Sequence, residues 1–172
     1  MINQANIITE RFLLRNIEEK DVTERYLNWF QDSTTKRYIS SAANIKSLLD
    51  LRQYVKERVN RDDVLFLGIF EKNNQLHIGN IKFEPVNSEI GYAIMGILIG
   101  DPDYRQKGVG TEVLKVCTEW LKLNRKIKQI VLGVSKDNPG AIRSYEKAGF
   151  KISDTPFIPI PGDGAITMVL YL

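Results

Sequence analysis

The stretch Arg105-Gln106-Lys107-Gly108-Val109-Gly110 constrains this 172-residue chain more than any other. An apolar run from Tyr92 to Ile99 precedes it and closes at Gly100-Asp101-Pro102-Asp103. Such a run reads as a strand buried on both faces. Downstream, Val109, Val113, Leu114, Cys117 and Leu121 recur at the spacing of one helical face, which puts Gly108 at a strand-to-helix junction. Two glycines two apart leave backbone N–H groups bare at the positive end of a helix, and Arg105 and Lys107 add charge. That is a frame for phosphates. A P-loop is excluded, because Gly110 is followed by Thr111 and Glu112 with no lysine between. A dinucleotide fingerprint lacks its third glycine, where Val113 stands, and its acid about twenty residues on, where Lys128 stands. By itself the stretch is equally an ordinary strand-turn-helix with two loop glycines.

A second segment breaks that tie. Asn138 to Phe150 describes a short helix with marked ends: Asn138 as N-cap, Pro139 at the first position, Gly149 as the left-handed stop. It follows a strand predicted over Ile130 to Val134. Arg-x-x-Gly-x-Gly followed by Asn-x-x-Ala-x-x-x-Tyr-x-Lys-x-Gly-Phe resembles the GNAT superfamily of acyl-CoA-dependent N-acyltransferases, over most of the chain. The lead-in Gly96 to Pro102 and the opening Glu10 to Arg15 resemble the branch that includes ribosomal-protein alanine and spermidine acetyltransferases. Glu24-Arg25-Tyr26-Leu27-Asn28-Trp29-Phe30 is similar to acetyltransferases found with polysaccharide biosynthesis.

The rest of the chain reads as one domain over residues 1–172 with an α/β fold. Ile7 to Arg15 alternates as a first strand, and Asn16 with Glu19 suggests a capping box. Val22, Tyr26, Trp29 and Phe30 fall on one side of a helix ending near Asp32, followed by Ser33-Thr34-Thr35 as loop. A second helix starts near Ser47 with Leu48, Leu51, Val55 and Val59 buried. Val64 to Glu71 and Leu76 to Glu84 form a hairpin around Asn73-Asn74, and Pro85 to Ser88 breaks the pattern. Phe150 to Asp154 and Ala165 to Leu172 are further strands, separated by a proline-rich loop from Pro156 to Gly164. The sum is about seven strands and four helices on both faces of a mixed sheet. This agrees with the arrangement that the GNAT resemblance implies.

The resemblance also implies a wedge between the central strand and the strand after its helix, which takes the pantetheine arm of acetyl-CoA. Gly96, Gly100 and Gly133 are compatible with such a break, or with plain close packing. The cofactor-binding positions implied are Leu98, Ile99, Arg105, Gln106, Lys107, Gly108, Val109, Gly110, Thr111, Asn138 and Lys147. Tyr145 falls at the family's tyrosine: a phenol with a pKa near ~10 is protonated at neutral pH and suited to protonate the departing sulfur. Its plain alternative is core packing, as Asn138's is a helix cap. Many relatives carry a glutamate base where this chain has Ile94, which leaves Glu84 and Glu89 as the nearby acids.

The expected acceptor is the primary amine of a small molecule. Glu18, Glu19, Asp21 and Glu24 alternate with Lys20 and Arg25, an arrangement that suits a polyamine poorly. Trp29, Phe30, Lys36, Arg37 and Tyr38 suit an amino sugar, especially a nucleotide-linked one, if they are not simply packed. Acetylation of a protein N-terminus and a silent acyl-CoA-binding module are the competing readings. A formal net charge of +3 suits an anionic cofactor and not a nucleic-acid partner. No apolar run approaches the roughly 20 residues of a membrane span. A single cysteine, Cys117, with no signal-like N-terminus points to the cytoplasm. One histidine, His77, with no partner at ligand spacing gives no metal site and reads as structural. Exposed Phe157, Ile158 and Ile160 would favour a homodimer.

Overall fold

The computed structural model describes residues 5–159 and 162–172. Its strands are β1 (Asn6–Ile8), β2 (Phe12–Asn16), β3 (Leu65–Glu71), β4 (His77–Asn87), β5 (Tyr92–Ile99), β6 (Gln129–Ser135), β7 (Lys151–Ile152) and β8 (Ala165–Tyr171). Its helices are α1 (Glu24–Gln31), α2 (Ser33–Tyr38), α3 (Leu48–Val59), α4 (Val109–Arg125) and α5 (Pro139–Lys147). The strands form one mixed sheet in the order β1-β2-β3-β4-β5-β6-β8-β7.

Alternation along β3 assigns the two layers. Leu65, Leu67 and Ile69 share a core with Val113, Leu114, Cys117 and Leu121 of α4, and Ala141 and Tyr145 of α5 pack against it. Val64 and Phe66 share a second core with Tyr26, Trp29 and Phe30 of α1 and Leu51 and Val55 of α3. Successive side chains of a strand point to opposite faces, so α4 and α5 cover one face and α1 and α3 the other.

The feature that positions a site is the junction of β5 and β6. They pair in parallel over three rungs, Tyr92 with Gln129, Ala93 with Ile130 and Ile94 with Val131. Past Ile94 no pairing joins them, while β5 keeps its antiparallel register with β4 up to Ile99 opposite Gly79. The sheet therefore splits along one seam. The apolar run of β5 fits this split: Ala93 and Met95 are buried, while Ile97, Leu98 and Ile99 are only half-buried beside the gap.

Among the described residues, eight strands and five α-helices stand where about seven and four are expected, for local reasons. The first strand is a hairpin, because Thr9 turns the chain: its N–H donates to the Phe12 carbonyl at 2.8 Å and its Oγ1 accepts from the Phe12 N–H at 2.8 Å. Ser33 to Thr35 are helical because Asp32 caps them, accepting from the Thr35 N–H at 3.0 Å. Strand β4 continues through Pro85 to Asn87 by a register shift between Phe83 and Val86. The capping box predicted on Asn16 and Glu19 forms instead on Glu18 and Asp21, over the 3-10 turn Glu19–Asp21. Asn16 Oδ1 accepts from the Ala5 N–H.

Asp21 also pairs with Arg15 through two hydrogen bonds of 2.7 Å, and the Arg15 guanidinium lies 4.0 Å from the Phe70 ring centroid. Burial works to raise the Asp21 carboxyl, but Arg15 and the Glu18 N–H outweigh it and hold its pKa below the ordinary aspartate value. The stabilisation this represents is complete above the unfolded-state pKa of ~3.9 and is lost as pH falls through the lower folded value. Asp21→Asn is expected to cost about 1.5–3 kcal/mol at neutral pH, as for other hydrogen bonds to charged groups. In thermal melts the gap between variant and parent should close below pH ~4. A gap that persists undiminished in acid would remove the ion pair as its cause.

Candidate active site

The seam between β5 and β6 opens into a cavity of about 1270 Å³. Met95 to Ile99 form one bank and Leu132 to Ser135 the other. A Cβ built at Gly96 or Gly133 would meet nothing within 4 Å, so both glycines face open space. Gly100 has the other explanation, since a Cβ there would collide with the Trp29 ring.

At one end of the cavity stands the glycine loop. Gly108 takes a left-handed φ of 73° as the N-cap of α4 and supplies no side-chain cap, so the first turn of the helix keeps free N–H groups. Gln106, Gly108, Gly110 and Thr111 border the cavity. The loop is tied to the β1–β2 hairpin by Arg11, which donates to the Lys107 carbonyl at 3.0 Å and pairs with Glu112 at 2.7 Å. This tie had no signal in the sequence, because its members are about a hundred residues apart.

The side chains of Arg105, Lys107 and Val109 are directed elsewhere than into the cavity's free space. Arg105 borders the cavity, but its guanidinium is spent on structure: Nε donates to the Ile99 carbonyl and Nη2 to the Gly100 carbonyl, both at 2.9 Å, and Nη1 reaches Asp32 at 3.3 Å. Lys107 is exposed and is not among the cavity's lining residues, and Val109 is a core residue of α4. The exposed cations that do border the cavity are Lys147 and Arg143, both on α5; Arg143 occupies a variable position of the motif, which carries no sequence signal for it.

Tyr145 stands on the α5 wall. Burial pushes its phenol up to about 12, and among the described residues its hydroxyl has no hydrogen-bond partner. Asn138 both caps α5, accepting from the Ala141 N–H at 3.2 Å, and borders the cavity. Leu98 and Ile99 line the opposite bank.

On the α1–α3 face the cavity is lined by Tyr26, Phe30, Thr34, Tyr38, Tyr54 and Ser41. The aromatic and basic cluster read from the sequence is divided there. Trp29 is packed against Tyr26 and His77, at 5.1 and 4.8 Å between ring centroids, and Lys36 and Arg37 are exposed outside the lining. Arg37 and Tyr38 instead reach across the gap, Arg37 pairing with Asp137 at 3.5 Å and the Tyr38 hydroxyl donating to the Asp137 carbonyl at 2.8 Å. His77 sits among the rings of Phe70, Tyr26 and Trp29, and burial lowers its pKa, which keeps the imidazole neutral. Among the described residues no metal-ligand cluster occurs.

Neither acid considered as a base is placed for it. Burial works to raise the Glu84 carboxyl, but Lys82 and Arg58 hold its pKa below the ordinary glutamate value, with contacts of 2.7 and 3.0 Å. Glu89 lies in the β4–β5 turn, at the paired end of β5, away from the gap. The carboxylates among the described lining residues are Glu10 and Glu112, on the side of the glycine loop. In the Pro156 to Gly164 loop, Phe157 stacks on Tyr92 at 4.0 Å and 7° and no described residue lines the cavity. Ile160, named for a subunit contact, lies outside the described residues, and Phe157 is engaged within the chain.

A sheet split beside a helix N-terminus, with a tyrosine on the facing wall, makes one continuous cleft. The sequence profile described as acetyltransferase (GNAT) domain matches residues 11–151, and the chain belongs to that family. The chain is 29% identical over 96 residues to "Probable N-acetyltransferase YjcK" of Bacillus subtilis, a match covering 55% of this chain and 52% of YjcK. This chain thus aligns with about half the length of that relative. Its fold is similar to that of a GNAT-family acetyltransferase from Bacillus anthracis (TM-score 0.79, 20% identity, 97% and 98% of the two chains). It is also similar to that of RimL, a ribosomal L7/L12 alpha-N-protein acetyltransferase solved with coenzyme A (TM-score 0.82, 15% identity, 98% of each chain).

Proposed function

We propose that this chain is a single-domain, acetyl-CoA-dependent N-acetyltransferase acting on the primary amine of an oxygen-rich small molecule, an amino sugar first among them. The observation that carries the reading is the split of β5 from β6 beside the bare N-terminus of α4. The unpaired edge of β5 offers backbone N–H and C=O groups to a pantetheine arm, and the first turn of α4 offers N–H groups to a pyrophosphate. Arg143 and Lys147 add the charge that Arg105 does not. The thioester supplies the acetyl group and a thiol leaving group. A β5 N–H facing the gap stabilises negative charge as it develops on the carbonyl oxygen.

Tyr145, protonated throughout the working pH range, donates its proton to the sulfur as the C–S bond breaks and the C–N bond forms. The proton lost by nitrogen returns to the phenolate through water. With Ile94 in place of an acid and Glu84 held in ion pairs, the amine deprotonates to solvent before attack. Hydroxyls and rings dominate the α1–α3 side of the cavity, which suits a hydroxylated amine better than a polycation.

The test is release of CoA thiol from acetyl-CoA against nucleotide-linked amino sugars, aminoglycosides, polyamines and peptides with Ala or Ser at the N-terminus. Turnover concentrated on the sugars is expected. Turnover confined to the peptides would replace the acceptor, and failure to bind acetyl-CoA would overturn the reading.

A further inference from the structure

Asn80 is 4% exposed, it borders the cavity, and its Nδ2 has no hydrogen-bond partner. A buried amide donor is costly to leave unmade, and native proteins rarely do so without a purpose. Its other end is occupied: Oδ1 lies 2.9 Å from His77 Nε2, and the His77 ring is stacked on Phe70 at 4.8 Å. The amide is thus held from behind with its N–H₂ group unused.

Lys82 stands two residues along the same face of β4 and also borders the cavity. Its ammonium donates to Tyr54 Oη at 3.0 Å and to Glu84 at 2.7 Å, which leaves a third N–H. Tyr54, accepting from Lys82, keeps its own O–H to donate. Across the β4–β5 ladder, Asn80 is opposite Leu98 and Lys82 is opposite Gly96, the glycine that faces open space. These donors therefore lie one strand from the bank where the acyl group would be held. Among the described lining residues no carboxylate is on this side.

Resting on the acetyltransferase reading above, we propose that Asn80 and Lys82 form a specificity subsite that selects amines carrying a hydrogen-bond-accepting oxygen beside the amino group. An amino-sugar hydroxyl and an α-carboxylate share that chemistry. An alkylamine offers no acceptor to Nδ2, and a polyamine brings a second ammonium against Lys82.

The experiment compares glucosamine and serine with cyclohexylamine and 1,4-diaminobutane, measuring kcat/KM for each and acetyl-CoA affinity by calorimetry. With kcat/KM expressed per unprotonated amine, the protein as it stands should prefer the oxygen-bearing pair by about 100-fold or more, as sites built around a substrate hydroxyl do. Asn80→Asp keeps the size and the acceptor toward His77 but removes the donor, and Asn80→Leu removes it without adding charge. Both should lower kcat/KM for the oxygen-bearing amines by about 10- to 100-fold and leave acetyl-CoA affinity within about twofold, and Asn80→Leu, which adds no carboxylate for a diamine, should also leave the poor substrates within about twofold. Lys82→Met separates the sources: a larger loss for serine than for glucosamine assigns the carboxylate, and equal losses assign the hydroxyl. Equal kcat/KM for the two pairs, variants that slow both pairs alike, or acetyl-CoA binding with no turnover of either pair would overturn the subsite. Loss of acetyl-CoA binding by the parent protein would instead overturn the reading beneath it.

Discussion

Tyr145→Phe is expected to lower kcat by about 10²- to 10³-fold, the usual worth of a positioned general acid. Little else should change. The ring remains packed 5.8 Å from Phe150, and the hydroxyl has no partner among the described residues, so neither Tm nor acetyl-CoA affinity has a reason to move. The pH dependence gives an independent check. Burial pushes the phenol up to about 12, so the proton it donates is in place at every practical pH. The rate should rise with pH as the acceptor amine loses its proton, then hold a plateau to at least pH ~10, with no falling limb from Tyr145. The phenylalanine variant should keep that profile at a lower plateau. A variant with parental turnover would remove Tyr145 from the mechanism, and a falling limb present only in the parent near pH 8 would contradict the burial that sets its pKa.

Gly100→Ala is expected to be the most damaging single methyl group. Gly100 is buried where β5 ends, its N–H donates to the Ile78 carbonyl at 3.0 Å, and its carbonyl accepts from Arg105. The new Cβ would strike the ring of Trp29, which is 5% exposed and wedged between Tyr26 and His77. A ring held on both sides cannot turn aside, so α1 must shift. Overpacking of this kind costs about 1–3 kcal/mol, or a Tm lowered by about 3–10 °C in a chain of this length. Because Tyr26 and Phe30 of α1 line the cavity, the KM for the amine should rise while acetyl-CoA affinity changes less. Gly96→Ala is the contrast: its methyl enters open space, so stability should hold within about 0.5 kcal/mol while turnover falls. Equal melting temperatures for the two variants would show that α1 does not press on Gly100.

What could be read from the sequence was what local chemistry decides. Gly108, Asn138, Pro139 and Gly149 each do the conformational job that their residue type suggests: N-cap, N-cap, first turn and left-handed stop. The strands on either side of the seam and the helices that follow them were legible for that reason. The engagement of the Arg105 guanidinium is not legible in the sequence, because its partners, the carbonyls of Ile99 and Gly100 and the carboxylate of Asp32, are assembled by tertiary structure, and nothing in a loop cation's neighbours tells whether it faces a ligand or its own chain. The turn at Thr9 was hidden by alternation that runs on through it. Asn80 left no trace at all: one polar residue in an apolar strand looks like tolerance until its burial and its vacant donor are seen.

The three rungs between β5 and β6 have a wider meaning. Beyond them the sheet is two half-sheets, β1 to β5 and β6 to β8, held by α4 on one side and by Tyr38 and Arg37 reaching to Asp137. A chain that leaves hydrogen-bonding edges open at its centre has in effect omitted a strand. On the acetyltransferase reading, the amide-bearing arm of the acyl donor would take that strand's place, closing the sheet while it is bound and leaving it open again once CoA departs.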